Sequence, residues 1–295
     1  MTGSLSRISE LAVQTFRQLV RMKVFYFLAF FAVIVIASSM FVLRYNSPEQ
    51  ELKLLKDFSL FAMTLFSSLL AIVGTAILIP RDIEDRTIYT ILSKPVSRIE
   101  YLLGKLFGVL LLIGVGLVLM NVLFTVVLYL RQTLMISEQE AYFLGAGGGE
   151  EAREAFELMR QTIEANGVSW SLQAAVLSIF CKAVVIASLA LMVSTFASTT
   201  LFTMVTAAVA FFAGHMQADM RAYYESLPAT EHLARWIAGP LALLLPDFQL
   251  FNVVDAAVAG EVLRFADVGV LAAFAMGYFV VYTLVAWLVF QEKEI

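Results

Sequence analysis

Long apolar runs recur along this chain, and they constrain its fold more than any other feature. Runs at 24–43, 58–79, 102–130, 170–193, 201–216 and 268–290 each approach or exceed the roughly 20 residues that a helix needs to cross a hydrocarbon slab of about 30 Å. No single water-soluble core can take so many. Of the 295 residues 60% are hydrophobic and 15% charged, and the mean hydropathy is +0.84, whereas soluble domains carry about 25% charged residues. We therefore expect an all-α integral membrane protein, one domain over 1–295 with six transmembrane helices. A soluble catalytic domain is excluded.

The first 23 residues read differently. Leu5, Ile8, Ala12, Phe16 and Leu19 share one helical face, while Arg7, Glu10, Gln14, Arg17 and Arg21 share another. That pattern predicts an elbow helix lying in the membrane interface rather than a cleavable signal. Six spans put both termini on one side. Ten Lys and Arg stand on that side (Arg7, Arg17, Arg21, Lys23, Arg81, Arg86, Lys94, Arg98, Lys105, Lys293) and nine in the longer loops opposite. The density of positive charge in the shorter loops predicts cytoplasmic termini, a cytoplasmic loop at 80–101 and extracytoplasmic segments at 131–169 and 217–267. In the first of these, glycines at 145–149 precede a charged helical pattern at 150–165; the second is half apolar and reads as interfacial or re-entrant. Cys181 is the single cysteine, so neither an intrachain disulfide nor a cysteine-based metal cluster can form. A net charge of −4, with no long basic tract, gives no reason to expect nucleic acid as a partner.

The loop at 80–101 carries the most information. Ile83, Thr87 or Ile88 and Ile91 share a face, which predicts a short amphipathic helix stopped before Pro95. Ser97 and Glu100 stand at capping-box spacing ahead of the third span. These residues resemble the first cytoplasmic loop of the membrane permeases of type-2 ABC exporters, which carries an acidic residue, a Gly-Thr pair, paired leucines and a Pro-Val-Ser-Arg element. The matching residues are Asp82, Thr87, Ile91-Leu92 and Pro95-Val96-Ser97-Arg98, followed by Leu103-Gly104-Lys105; Arg86 stands where many members have glycine. Weaker matches are Ser194-Thr195 and Leu245-Pro246-Asp247-Phe248. In loop motif the chain is most similar to the permeases of multicopper and nitrous-oxide reductase maturation.

The resemblance implies a six-span subunit of the bacterial inner membrane that pairs with a second permease, identical or not, around a translocation pathway. It implies further that the loop docks as a coupling helix on a separate ATPase subunit. Asp82, Glu84, Asp85, Arg86, Thr87, Pro95 and Arg98 are then the coupling residues, and 131–169 and 217–267 could receive an extracytoplasmic partner. ATP and magnesium would belong to the ATPase subunit. This chain's lone Gly-Lys, Gly104-Lys105, is followed by Leu106 at the start of a membrane helix, not by the Ser or Thr of a phosphate-binding loop. We expect no enzymatic activity and no cofactor in the chain itself.

Lys182 falls near the middle of the fourth span, where a lysine is costly unless it snorkels, pairs or faces water. It marks a pathway or an interface, or else the outer membrane boundary if the helix begins late. His215 and His232 read as structural, and no metal is assigned. A secondary transporter would show symmetry-related broken helices, and no internal repeat is present. A glutamate-type intramembrane protease would need paired glutamates and a downstream arginine on a helix. Glu150-Glu151 stand in a glycine-bounded loop, with Ala155 where that arginine would be, and no Gly-x-Ser-x-Gly elbow occurs.

The orientation is testable by accessibility. With Cys181 replaced, a single cysteine at position 148 reacts with an impermeant reagent added to sealed cells and one at position 93 does not. Labelling at 93 would reverse the topology.

Overall fold

In the computed structural model, residues 2–21, 25–41, 48–84, 96–145, 149–197, 199–226 and 245–292 are described. All regular structure among them is helical: α1 Thr2–Arg21, α2 Phe25–Phe41, α3 Pro48–Glu84, α4 Arg98–Leu144, α5 Glu150–Ala165, α6 Trp170–Phe196, α7 Thr200–His215, α8 Gln217–Ser226, α9 Val254–Ala259 and α10 Phe265–Glu292, with a 3-10 turn at Gln249–Phe251. Among the described residues four helices are long and apolar enough to cross a membrane. A fifth span results if α7 and the start of α8, bent by 56°, are counted together. The remaining expected span, 24–43, is represented by α2, 17 very apolar residues or about 26 Å of helix.

Two helices outrun the spans read from the sequence. α3 has 37 residues rather than the 22 expected, and Pro80 does not end it. Standing one turn from the helix end, Pro80 costs only a local hydrogen bond while the chain continues to Glu84. α4 has 47 residues, about 70 Å of helix, and ends at Gly145. The first third of the segment read as an extracytoplasmic loop is therefore a continuation of this helix, held to the start of α3 by Arg131 and Glu51 at 3.1 Å. At its other end the capping box forms: the Glu100 amide donates to Ser97 Oγ at 3.3 Å and the Ser97 amide to Glu100 Oε2 at 2.9 Å.

α6 is the hub, packed against α3, α4, α7, α9 and α10. Its small residues Ala174, Ala175, Ser178, Ala183, Ala187 and Ala190 are buried, which lets neighbouring backbones approach closely. Asn121 of α4 donates to Gln173 of α6 at 2.6 Å, a polar tie inside the apolar packing. α10 is the opposite case, with Phe274, Val280, Val281, Leu284 and Leu288 exposed.

The segment after α8 inserts between α6 and α7. Phe248 and Phe251 are buried, the Phe248 amide donates to Gly214 O at 3.1 Å, and Ser178 Oγ donates to Phe251 O at 2.6 Å. Gly214 is required by this approach, since a Cβ there would lie 2.6 Å from the Phe248 ring.

α1 packs along α4 at the end of the bundle where α3 ends and α4 begins. Its buried stripe is Leu11, Ala12, Thr15 and Leu19, whereas Leu5, expected on the apolar face, is 76% exposed. Contact is close because α4 presents Gly104 and Gly108, one turn apart. A Cβ on Gly104 would lie 2.5 Å from Leu11 Cβ, and one on Gly108 would lie 2.5 Å from Thr15 Cβ and 2.7 Å from Ala12 O. The helix read as an interfacial elbow thus packs on α4 along a stripe that shares Ala12 and Leu19 with the apolar face read from the sequence.

The Gly108→Ala variant must push α1 away from α4, an overpacking cost of about 1–3 kcal/mol. Faster tryptic cleavage after the exposed Arg17 and Arg21 in the purified protein is the expected result. Wild-type protection would show that the close approach carries no energy.

Candidate functional site

The expected coupling loop hangs between the end of α3 and the start of α4, and its root holds a cluster of charged side chains that pair across helices. Asp82, one turn beyond the apolar part of α3, is only 5% exposed. Lys105 Nζ lies 2.7 Å from Asp82 Oδ2, and Tyr101 donates its hydroxyl to the same oxygen at 2.7 Å. Tyr101 and Lys105 are four residues apart on α4, so both project from one helical face toward α3. Removing such a pair from water costs several kcal/mol, and the geometry must be this close to recover it.

The cluster extends to two more helices. Arg98 donates to the Phe290 and Gln291 carbonyls at 2.6 and 2.8 Å, closing the C-terminal turn of α10, which lacks intrahelical donors. Its guanidinium also sits 5.8 Å from the Phe290 ring centre, and Tyr101 stacks on that ring at 5.9 Å. Glu100, besides its capping role, accepts from Arg7 of α1 at 2.8 Å. α1, α3, α4 and α10 therefore meet at the root of the loop.

Of the residues expected to contact an ATPase, the structure gives Asp82 and Arg98 partners inside this chain. Asp82 is not presented at a surface: it is a clamp between α3 and α4, and Arg98 is a cap on α10. Glu84 is the last residue of α3, and Asp85, Arg86, Thr87 and Pro95 lie outside the described residues. The sequence marked Glu100 as a cap, Lys105 as part of the loop motif and Arg7 as part of the polar face of α1, but gave none of them, nor Tyr101, a place in this cluster. The signal available was the helical spacing of Tyr101 and Lys105 just inside an apolar run, where a lysine needs a partner.

A second constellation surrounds Lys182. α6 begins at Trp170, where the sequence placed it, so Lys182 is the thirteenth of its 27 residues. Its side chain is 7% exposed and lines a cavity of about 490 Å³. Facing the same cavity are Asp57 and Phe58 of α3, His215 of α7, Phe248 of the inserted segment and Asp255 of α9. Among the described residues no carboxylate stands within ion-pair distance of Lys182; the Phe248 ring centre is 5.9 Å from its Nζ. His215 Nδ1 is 2.9 Å from Phe211 O, and its ring packs on Phe211 and Phe248. No group of three or more His, Cys, Asp or Glu able to hold a metal occurs among the described residues. His232 lies outside them.

Helices of this length and apolarity are those of a multi-pass membrane protein, here with a charged cluster at one end and a cavity that holds Lys182 together with Asp57 and Asp255. The chain belongs to the ABC-2 family of transporter proteins, whose family model matches residues 10–295. It is accordingly the membrane permease of an ABC transporter, a class that works with an ABC ATPase. No curated protein matches the chain.

The Asp82–Lys105 pair predicts a specific pattern of stability. Asp82→Leu and Lys105→Met, each leaving one buried charge unpaired, destabilise by about 3–5 kcal/mol, while the double variant recovers much of that loss. Thermal unfolding of the purified protein in detergent measures all three. Additive losses would mean that the two side chains do not act as a pair.

Proposed function

We propose that this chain is the membrane half of a bacterial inner-membrane exporter, working as a dimer of permeases with both termini in the cytoplasm. The loop at 81–92 docks on the ATPase as a coupling helix, and closure of the nucleotide subunits drives alternating access of the pathway. The nearness of the loop motif to reductase-maturation permeases supports membership in that branch. ATP hydrolysis belongs to the partner.

The observation that carries the reading is the root of the loop. A docking element transmits motion only if it is attached to something stiff, and here both ends of the loop enter a buried cluster. α3 reaches it through Asp82, α4 through Tyr101 and Lys105, α10 through the Arg98 cap and α1 through Arg7. A push on the loop is therefore delivered to four helices at once. Interfaces and cores of this kind shift as rigid bodies between discrete packings rather than deforming continuously. The division of work within the loop follows: Asp82, which is buried, and Arg98, which caps α10, anchor it, and Glu84, Asp85, Arg86 and Thr87 contact the partner.

The test is co-purification of the ATPase with Glu84→Arg, with Arg86→Glu, and with Glu157→Arg as a control on the exposed face of α5. Losing a charged hydrogen bond at the contact costs about 1.5–3 kcal/mol, a roughly ten- to hundredfold weaker complex. Both loop variants should lose the ATPase and transport while the control keeps them. Wild-type complex and activity in the loop variants would reduce 81–92 to a charged connector.

A further inference from the structure

The cavity beside Lys182 has a polarity that restricts what can occupy it. Its deep wall carries a cation: the Lys182 ammonium has three donors to place, is nearly excluded from solvent, and meets an aromatic face rather than a carboxylate. A lysine in that state is expensive in the interior of a membrane bundle. The quadrupole of Phe248 offsets only part of that cost and falls short of a counter-ion's contribution.

Other donors around the cavity are already engaged. Gln249 donates to His215 O at 2.9 Å, Asn252 to Asp255 Oδ2 at 3.1 Å, and Thr64 to Leu60 O at 2.9 Å. His215 Nδ1 faces a carbonyl, which only accepts, so Nδ1 carries the hydrogen and Nε2 of the neutral ring is an acceptor. Lys182 is thus the one cationic donor among the described lining groups, and Gln249 and Asn252 each already spend an N–H on the protein.

The mouth has the opposite sign. Asp57 and Asp255 line the same cavity, both are exposed, and they are electrostatic neighbours of each other. A simple anion drawn to Lys182 would be repelled at this mouth, and a simple cation drawn to the carboxylates would be repelled at depth. Phe58 and Phe61 of α3, which also line the cavity, are 49% and 65% exposed and continue into the exposed apolar stripe Leu65, Leu69 and Val73. The opening is therefore continuous with a surface suited to lipid, and a volume of about 490 Å³ is within the usual range for small-molecule sites.

We propose that this cavity binds a zwitterionic amphiphile. The anionic group of the ligand pairs with Lys182, its ammonium group lies at Asp57 and Asp255, and its hydrocarbon portion runs over Phe58 and Phe61. The proposal rests on the permease reading, for which it names a substrate class, but its test does not pass through the ATPase.

Binding is measured to the purified full-length chain in dodecyl maltoside, a non-ionic detergent that brings no charge of its own. Four probes separate the contributions: twelve-carbon lysophosphatidylethanolamine, dodecyl phosphate, dodecylammonium, and chainless glycerophosphoethanolamine. The zwitterion with its chain should bind at least tenfold tighter than each of the others. Lys182→Met should weaken that probe and dodecyl phosphate tenfold or more while sparing dodecylammonium, and Asp57→Asn should weaken the zwitterion and dodecylammonium while sparing the phosphate. Lys182→Met removes an unpaired buried charge, so its melting temperature should equal or exceed that of the wild type, which separates lost binding from lost folding. Equal binding of dodecyl phosphate and the zwitterion would overturn the assignment, as would equal binding of the chainless probe or unchanged affinity in both variants. Such a failure, with ATPase co-purification intact, would leave the permease reading standing.

Discussion

The contact between Asp82 and Lys105 sets the geometry of one end of the bundle. Each group is a full charge held away from water, and neither is tolerable there without the other. That requirement fixes the register between the last turn of α3 and the first turns of α4. Once α4 is in register, Tyr101 stacks on Phe290, Arg98 reaches the last carbonyls of α10, and Glu100 meets Arg7 of α1. Gly104 and Gly108 then face α1 at a distance that no larger residue allows. One ion pair thereby orders the surroundings of the loop that connects α3 to α4.

The opposite end is built differently. α3 and α4 both extend past the length a bilayer needs, and the extensions are joined by Glu51 and Arg131 beside the buried apolar residues Leu52, Leu55, Met135 and Ile163. Between α6 and α7 the chain folds back inward, with Phe248 and Phe251 as plugs and Ser178 satisfying a carbonyl that the insertion would otherwise strand. A segment held by a few side chains and one glycine contact can change its seat more readily than a packed helix. It also forms a wall of the Lys182 cavity, so the cavity combines the stiff helices α3 and α6 with a less deeply tied element.

Burial is distributed unequally among the helices, and the inequality is informative. α6 is surrounded on nearly every side, while α10 and α7 keep broad apolar faces in view, including Phe274 and Val281 on one and Leu201, Val205 and Val209 on the other. In water such surface would be a liability. In a membrane it is a face suited to lipid, and apolar exposure carries no penalty.

Much of this was legible in the residues alone. Apolar runs located the helices, Ser97 and Glu100 announced the start of α4, and the order of residues around Pro95 pointed to the transporter family, because spans, caps and loop motifs are local properties of the chain. Helix lengths were underestimated because polar turns such as those after Leu130 end a hydrophobic run without ending a helix. The roles of Asp82 and Arg98 could not be read either: a helical pattern tells which residues share a face, not which helix will cover it. Nor could the sequence bring Lys182 together with Asp57, His215 and Asp255, four residues drawn from four separate elements. The sequence by itself determined that this chain enters a membrane as helices and where its caps and loop motifs lie. Only the tertiary structure decided that Asp82 pairs with Lys105 and that Lys182 meets an aromatic ring, because those outcomes depend on contacts between residues distant in the chain.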